Sequence, residues 1–114
     1  MTKVCVDDLT VGQVKELARF AGVTVAEGHP YQVGKSYFIR SVTMYYTGML
    51  VAVTPQELVL EQAAWIADTG RFETALRTGD FSEVEPYPVG QLIIGRGALI
   101  DAFQVSFSLP TKQK

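Results

Sequence analysis

The chain has 114 residues, 47% of them hydrophobic and 19% charged, with a formal net charge of −2. That length suits one domain, and that balance excludes a polar chain too charged to bury a core. Ten Lys and Arg lie scattered among twelve Asp and Glu with no basic run, which excludes the clustered cations that a long nucleic-acid duplex requires. No apolar stretch reaches the roughly 18 to 20 residues of a membrane-spanning helix, and the first residues lack a signal-peptide pattern, so the expected location is the cytoplasm.

In chain order, Cys5 between Val4 and Val6 reads as a small buried hydrophobe, since one cysteine forms no internal disulfide. A helix is predicted over 10–21: Thr10 as N-cap, Val11, Val14, Leu17, Ala18 and Ala21 on one face, and Gly22 as the stop. Gly28, His29, Pro30 and Gly34 then read as a connection. The aromatic and β-branched run 35–46 predicts the longest strand, and Thr47 and Gly48 a hairpin turn with Gly48 at positive φ, leading into a strand over 49–53. A turn at Thr54, Pro55 and Gln56 leads into 57–61 and completes a three-strand antiparallel meander. The segment 63–70 shows no clear alternation. A short helix follows over 71–77, capped by Asp68 or Thr69. The breakers in 78–90 predict a long loop, and 92–109 reads as two strand segments meeting at Gly95 to Gly97. The expected fold class is α+β: an antiparallel β-sheet meander with a short helix after the third strand and an N-terminal helix. It forms a single domain over 1–114, a helical appendage over 1–31 on a β-rich core over 33–109.

Catalytic chemistry finds few groups. A lone histidine, His29, beside Pro30 argues against a nucleophile and base pair, and one His with one Cys far apart argues against a metal site. Asp80, Glu83 and Glu85 read as a solvated face. The chain is therefore expected to be no enzyme and to use no cofactor. Binding chemistry finds more. In GRG, Arg96 stands between Gly95 and Gly97, where amides can approach a ligand while the guanidinium forks onto phosphate; a β-bulge or strand bend with an exposed arginine explains the triplet equally well. DTGRF adds Arg71 and the flat ring of Phe72 at a turn that opens a helix. Among the aromatics, Trp65, Phe72 and either Tyr45 or Tyr46 lie nearest the turns. The candidate ligand-binding set is Arg71, Phe72, Arg96, Gly95, Gly97, Trp65 and Tyr45, with two guanidiniums and a stacking ring suited to a small phosphorylated nucleotide.

The words KSYFIRSVTMYYTGMLVAVT, LVLEQAAWIADTGRFETAL, EVEP and IIGRGALIDA, which span about 33–102, resemble the phage-encoded Thoeris anti-defence signal sponges. The resemblance implies a phage protein acting in the host cytoplasm. It would bind a cyclic ADP-ribose isomer made by a host immune enzyme and hold it without cleavage. It further implies a homo-oligomer with ligand sites between subunits, and in some members separate sites for cyclic oligonucleotides. A phenylalanine on adenine and an arginine on phosphate carry over to Phe72 and Arg96, with Arg71 beside them. The stretch 1–31 falls outside the resemblance. The alternative is a small phage structural or assembly protein that oligomerises to complete a thin core. A nucleotide-processing enzyme working through Asp80, Glu83 or Asp101 is a third class.

Overall fold

A computed structural model describes residues 28–114. The predicted helix over 10–21 and Cys5 lie outside the described residues. The chain divides into two compact units, Met1–Gln32 and Val33–Lys114. In the described part of the first unit, the His29 and Tyr31 rings meet at 5.9 Å. Among the described residues no helix is long and apolar enough to cross a membrane.

The second unit is an antiparallel β-sheet with one short helix. Its strands are β1 (Ser36–Ser41), β2 (Tyr45–Val53), β3 (Glu57–Asp68), β4 (Glu83–Pro86), β5 (Gln91–Gly95) and β6 (Leu99–Val105). The helix α1 (Phe72–Thr78) follows β3, and a 3-10 turn (Arg96–Ala98) joins β5 to β6. The strand order is β4-β3-β2-β1-β6, with β5 also on β3. The first half of β3 pairs with β5, Glu57 opposite Gly95, and the second half with β4, Trp65 opposite Glu85.

The sheet cannot be flat. Gly95 pairs with Glu57 on β3, whereas Leu99 pairs with Ser41 on β1, four strand spacings away through β3, β2 and β1. In a flat sheet that distance is about 19 Å, yet four residues reach at most about 14 Å. The sheet therefore curls until its two ends approach. The 3-10 turn is bonded on both sides of the closure: Val42 N–H donates to Ala98 at 2.8 Å, and Arg96 N–H donates to Gln56 at 2.8 Å. The bend falls where the β2–β3 register slips between Thr47 and Met49. There Gln62 takes a left-handed φ of 54°, and Gly48 lies so close to Leu60 that a Cβ would meet the Leu60 Cβ at 3.0 Å.

Four sequence expectations change here. Gly48 lies inside β2, absent from the positive-φ residues, and its lack of a Cβ serves close approach; the hairpin turn is instead Val42 to Met44, with Thr43 at φ 72°. The segment 63–68 is strand after all, because the bulge at Gln62 breaks the alternation that would reveal it. The predicted loop 78–90 contains β4, whose Val84 is buried and exchanges backbone bonds with Lys114 at 3.0 Å. Helix α1 has no side-chain cap: Arg71 is its N-cap, and Asp68 instead accepts from the Gly70 N–H at 2.9 Å.

Strand β1 is buried on both faces, with Phe38 and Ile39 at 1% and 0% exposure. On the Phe38 side, Ala64, Ile66, Val84 and Val105 form a layer with Ala75 of α1 and Phe81 beyond it. Phe38 stacks on Phe81 at 6.0 Å and meets the edges of Tyr45 at 5.8 Å and Phe72 at 6.0 Å. Burying a ring of this size stabilises the fold by roughly 1.5–3 kcal/mol, and the aromatic pairs add to it. Because Gly48 is packed and Gly95 has open space at an ordinary φ of −68°, Gly48→Ala is expected to lower unfolding free energy by about 1–3 kcal/mol. Gly95→Ala is expected to stay within about 0.5 kcal/mol. Urea denaturation of both variants checks the bend, and equal effects would contradict it.

Candidate functional site

Strand alternation sets which side chains share a face. Asp101, Arg40, Tyr45, Ile66 and Val84 stand opposite one another across β6, β1, β2, β3 and β4, on the same face as Phe38. Helix α1 lies over that face. Its residues Phe72 and Leu76 are four apart, so they project together, as do Glu73 and Arg77, which form an ion pair at 3.1 Å.

Between α1 and β6 runs a groove of about 500 Å³, lined by Phe72, Glu73, Leu76 and Arg77 from the helix and by Phe103, Gln104, Val105 and Ser106 from the strand side. Phe72 and Phe103 remain 43% and 56% exposed, so two large rings front solvent in one concavity. At its Phe72 end stands Arg40. Its guanidinium carbon lies 5.5 Å from the Phe72 ring centre, and its Nε donates to Asp101 Oδ1 at 2.9 Å while Nη2 forks onto Oδ2. The fork holds the Asp101 carboxyl below its ordinary value and, with the Tyr45 phenol, raises Arg40 further into the charged range. The guanidinium is thus fixed in position and orientation, and it steadies the ring beneath it.

The structure brings together three of the sequence candidates. Phe72 forms the helix end of the groove, Tyr45 packs behind it through Phe38, and Arg71 precedes Phe72 as an exposed N-cap residue with extended backbone, its guanidinium without a partner among the described residues. The others lie apart. Trp65 alternates onto the opposite face from Ala64 and Ile66. Arg96 does not line the groove: its Nη1 donates to the Thr54 carbonyl at 2.7 Å, which clamps the β2–β3 turn to the 3-10 turn. The expected meeting of Arg71, Phe72 and Arg96 is therefore not made within one chain. Gly95 and Gly97 have open space around them and no positive φ, so the triplet is a strand-to-turn bend, its arginine half-buried and bonded rather than exposed.

Sequence reasoning missed Arg40, Phe103 and Leu76. Alternation within SYFIR places Arg40 on the Phe38 face, and the four-residue spacing places Leu76 under Phe72; only the β1–β6 register supplies Phe103 and Asp101. Of the carboxylates considered for catalysis, Asp101 is held by Arg40, Asp80 by Lys114 at 2.5 Å, and Glu85 accepts from Gln113 at 3.0 Å. No protein-family model and no curated protein matches the chain.

Asp101 is 48% exposed, so solvent screening limits what its depressed pKa contributes to stability. A carboxylate pulled below its ordinary value of 3.8 gives its stabilisation fully above that value and loses it as pH falls through the lower, folded value. Asp101→Asn is therefore expected to cost no more than about 1 kcal/mol at pH 7, and less as pH falls through and below 3.8. Denaturant midpoints across pH check this; a cost that grows with acidity would contradict it.

Proposed function

We propose that this protein binds a small nucleotide-derived anion of the cyclic ADP-ribose class and holds it uncleaved, acting as a phage anti-defence sponge in the host cytoplasm. The observation that carries the reading is the α1–β6 groove with its two exposed rings and Arg77 in its lining, with Arg40 over the Phe72 ring and Arg71 next to Phe72 in the chain. Its volume lies within the roughly 300–1,000 Å³ of small-molecule sites. An adenine stacks on Phe72 or Phe103, and the Arg71 guanidinium, without a partner among the described residues, supplies the charge for a phosphate, with Arg40 fixed against the Phe72 ring. Binding of this kind uses rings and guanidiniums and requires no base. The sequence resemblance supplies the ligand class, and its stacking phenylalanine carry-over falls on Phe72. Arg96 supports the fold of its own chain, and any contact with ligand would come through a neighbouring subunit's groove.

A second reading, a small structural or assembly protein, has its own observation. Among the described strands, β5 and β6 each pair on one side only, and QLIIG and LIDAFQV carry no Lys or Pro while exposing Ile93, Ile100 and Phe103. Edges lacking such guards pair readily with another chain, which makes a homo-oligomer common to both readings.

Isothermal titration with a cyclic ADP-ribose isomer is expected to give saturable binding at micromolar protein, with chemically unchanged ligand recovered by heating. Phe72→Ala and Phe103→Ala should each weaken binding by about 5- to 100-fold at unchanged fold, the scale of one lost stacking contact. Absence of binding at that concentration removes the sponge reading. Light scattering should report a multiple of the monomer mass, returned to one by Ile93→Lys with Ile100→Lys; a monomeric wild type removes the assembly reading and the homo-oligomer from the sponge reading.

A further inference from the structure

The face of β3 opposite the groove carries a separate group of side chains. Trp65 stands directly across from Tyr46 on one side and from Glu85 on the other, so all three project from the same face. Tyr87 joins them two residues beyond Glu85. Its N–H donates to the Ala63 carbonyl at 2.9 Å, and its ring lies 6.3 Å from that of Tyr46. Burial raises the Tyr87 phenol pKa, and the neighbouring Tyr46 phenol adds to the rise, so the Tyr87 hydroxyl stays a neutral donor. Trp65 is 36% exposed and Tyr87 41%, more open than a core requires of such large rings. Glu83 shares the face by alternation with Glu85, and both are exposed. No Lys or Arg occupies these cross-strand rows among the described residues.

We propose that Trp65, Tyr46, Tyr87 and Glu85 form a recognition platform for an arginine side chain of a partner protein. A guanidinium lies flat on an indole or phenol face, attracted by the ring's negative quadrupole, and its edge offers paired N–H donors to a carboxylate. The platform supplies both parts at adjacent positions: Trp65 is the face, and Glu85, its cross-strand neighbour, is the acceptor. The Gln113 amide that now donates to Glu85 at 3.0 Å is a neutral partner that a charged donor replaces. The occupant is cationic because the polar groups around the rings are carboxylates and phenols, and arginine because only its planar guanidinium stacks flat on a ring while its edge forks onto a carboxylate. This inference is independent of the groove, which lies on the other side of the sheet.

Trp65 is the only tryptophan of the chain, so its fluorescence reports the platform directly. Titration with N-acetyl-arginine amide is expected to change Trp65 emission saturably at millimolar concentration, while the isosteric, uncharged citrulline derivative does not. Glu85→Gln and Tyr87→Ala should each weaken the response by about fivefold, the scale of one exposed cation–π or ionic contact. Glu85 is exposed, and unchanged far-ultraviolet circular dichroism of Glu85→Gln separates loss of binding from loss of fold. Equal responses to arginine and citrulline, or an unchanged response in Glu85→Gln, overturn the proposal. Loss of nucleotide binding in the groove would leave it standing.

Discussion

Phe38 is the side chain on which the two layers of the second unit depend. It sits at 1% exposure in β1 with Phe81 stacked on it and the edges of Tyr45 and Phe72 against it, so one ring joins the sheet to the helix laid over it. A seven-residue helix has little stability alone and is held by its tertiary contacts. Ala75, buried completely, lets α1 approach the sheet, and Phe72 and Leu76 on either side of it become the wall of the groove. Packing and site are thus one arrangement. The face that fixes the helix to Phe38 also fixes where the exposed half of Phe72 points.

The second constraint is the short closure between β5 and β6. Because three residues must span from one end of the strand order to the other, β2 and β3 bend at Gly48 and Gln62, and the sheet presents two separate environments. One is the groove beside α1, largely apolar, with Arg77 in its lining and Arg40 against its Phe72 ring. The other is the Trp65 platform, aromatic with carboxylates. Arg96 belongs to neither, since it ties the closing turn to Thr54. The same curl leaves β5 and β6 as edges with exposed isoleucines, the surface that the proposed homo-oligomer uses.

The sheet was largely legible in the sequence because aromatic and β-branched residues concentrate where β1 and β2 run, and the turn signal Asp68 to Gly70 marks the start of α1 within one residue. The turn positions were not. Glycine serves positive φ and close approach alike, and Gly48 carries the second role while Thr43 takes the first against its preference. Strand β4 was hidden because its pairing is nonlocal: Val84 gains its partners from β3 and from Lys114 at the far end of the chain. Of the site, Phe72 and its neighbours were readable from DTGRF. Arg40, Asp101 and Phe103 join it only through the β1–β6 register, which links residues about sixty apart and leaves no local signature.

The central claim is that the space between α1 and β6 holds the nucleotide. Mapping amide chemical shifts of the isotope-labelled protein during titration with a cyclic ADP-ribose isomer tests it residue by residue. Saturating shifts are expected at Phe72, Leu76, Arg77, Phe103 and Val105, with the amides of β4 unmoved. Shifts confined to Gly95, Arg96 and Gly97, or none at saturating ligand, would contradict it.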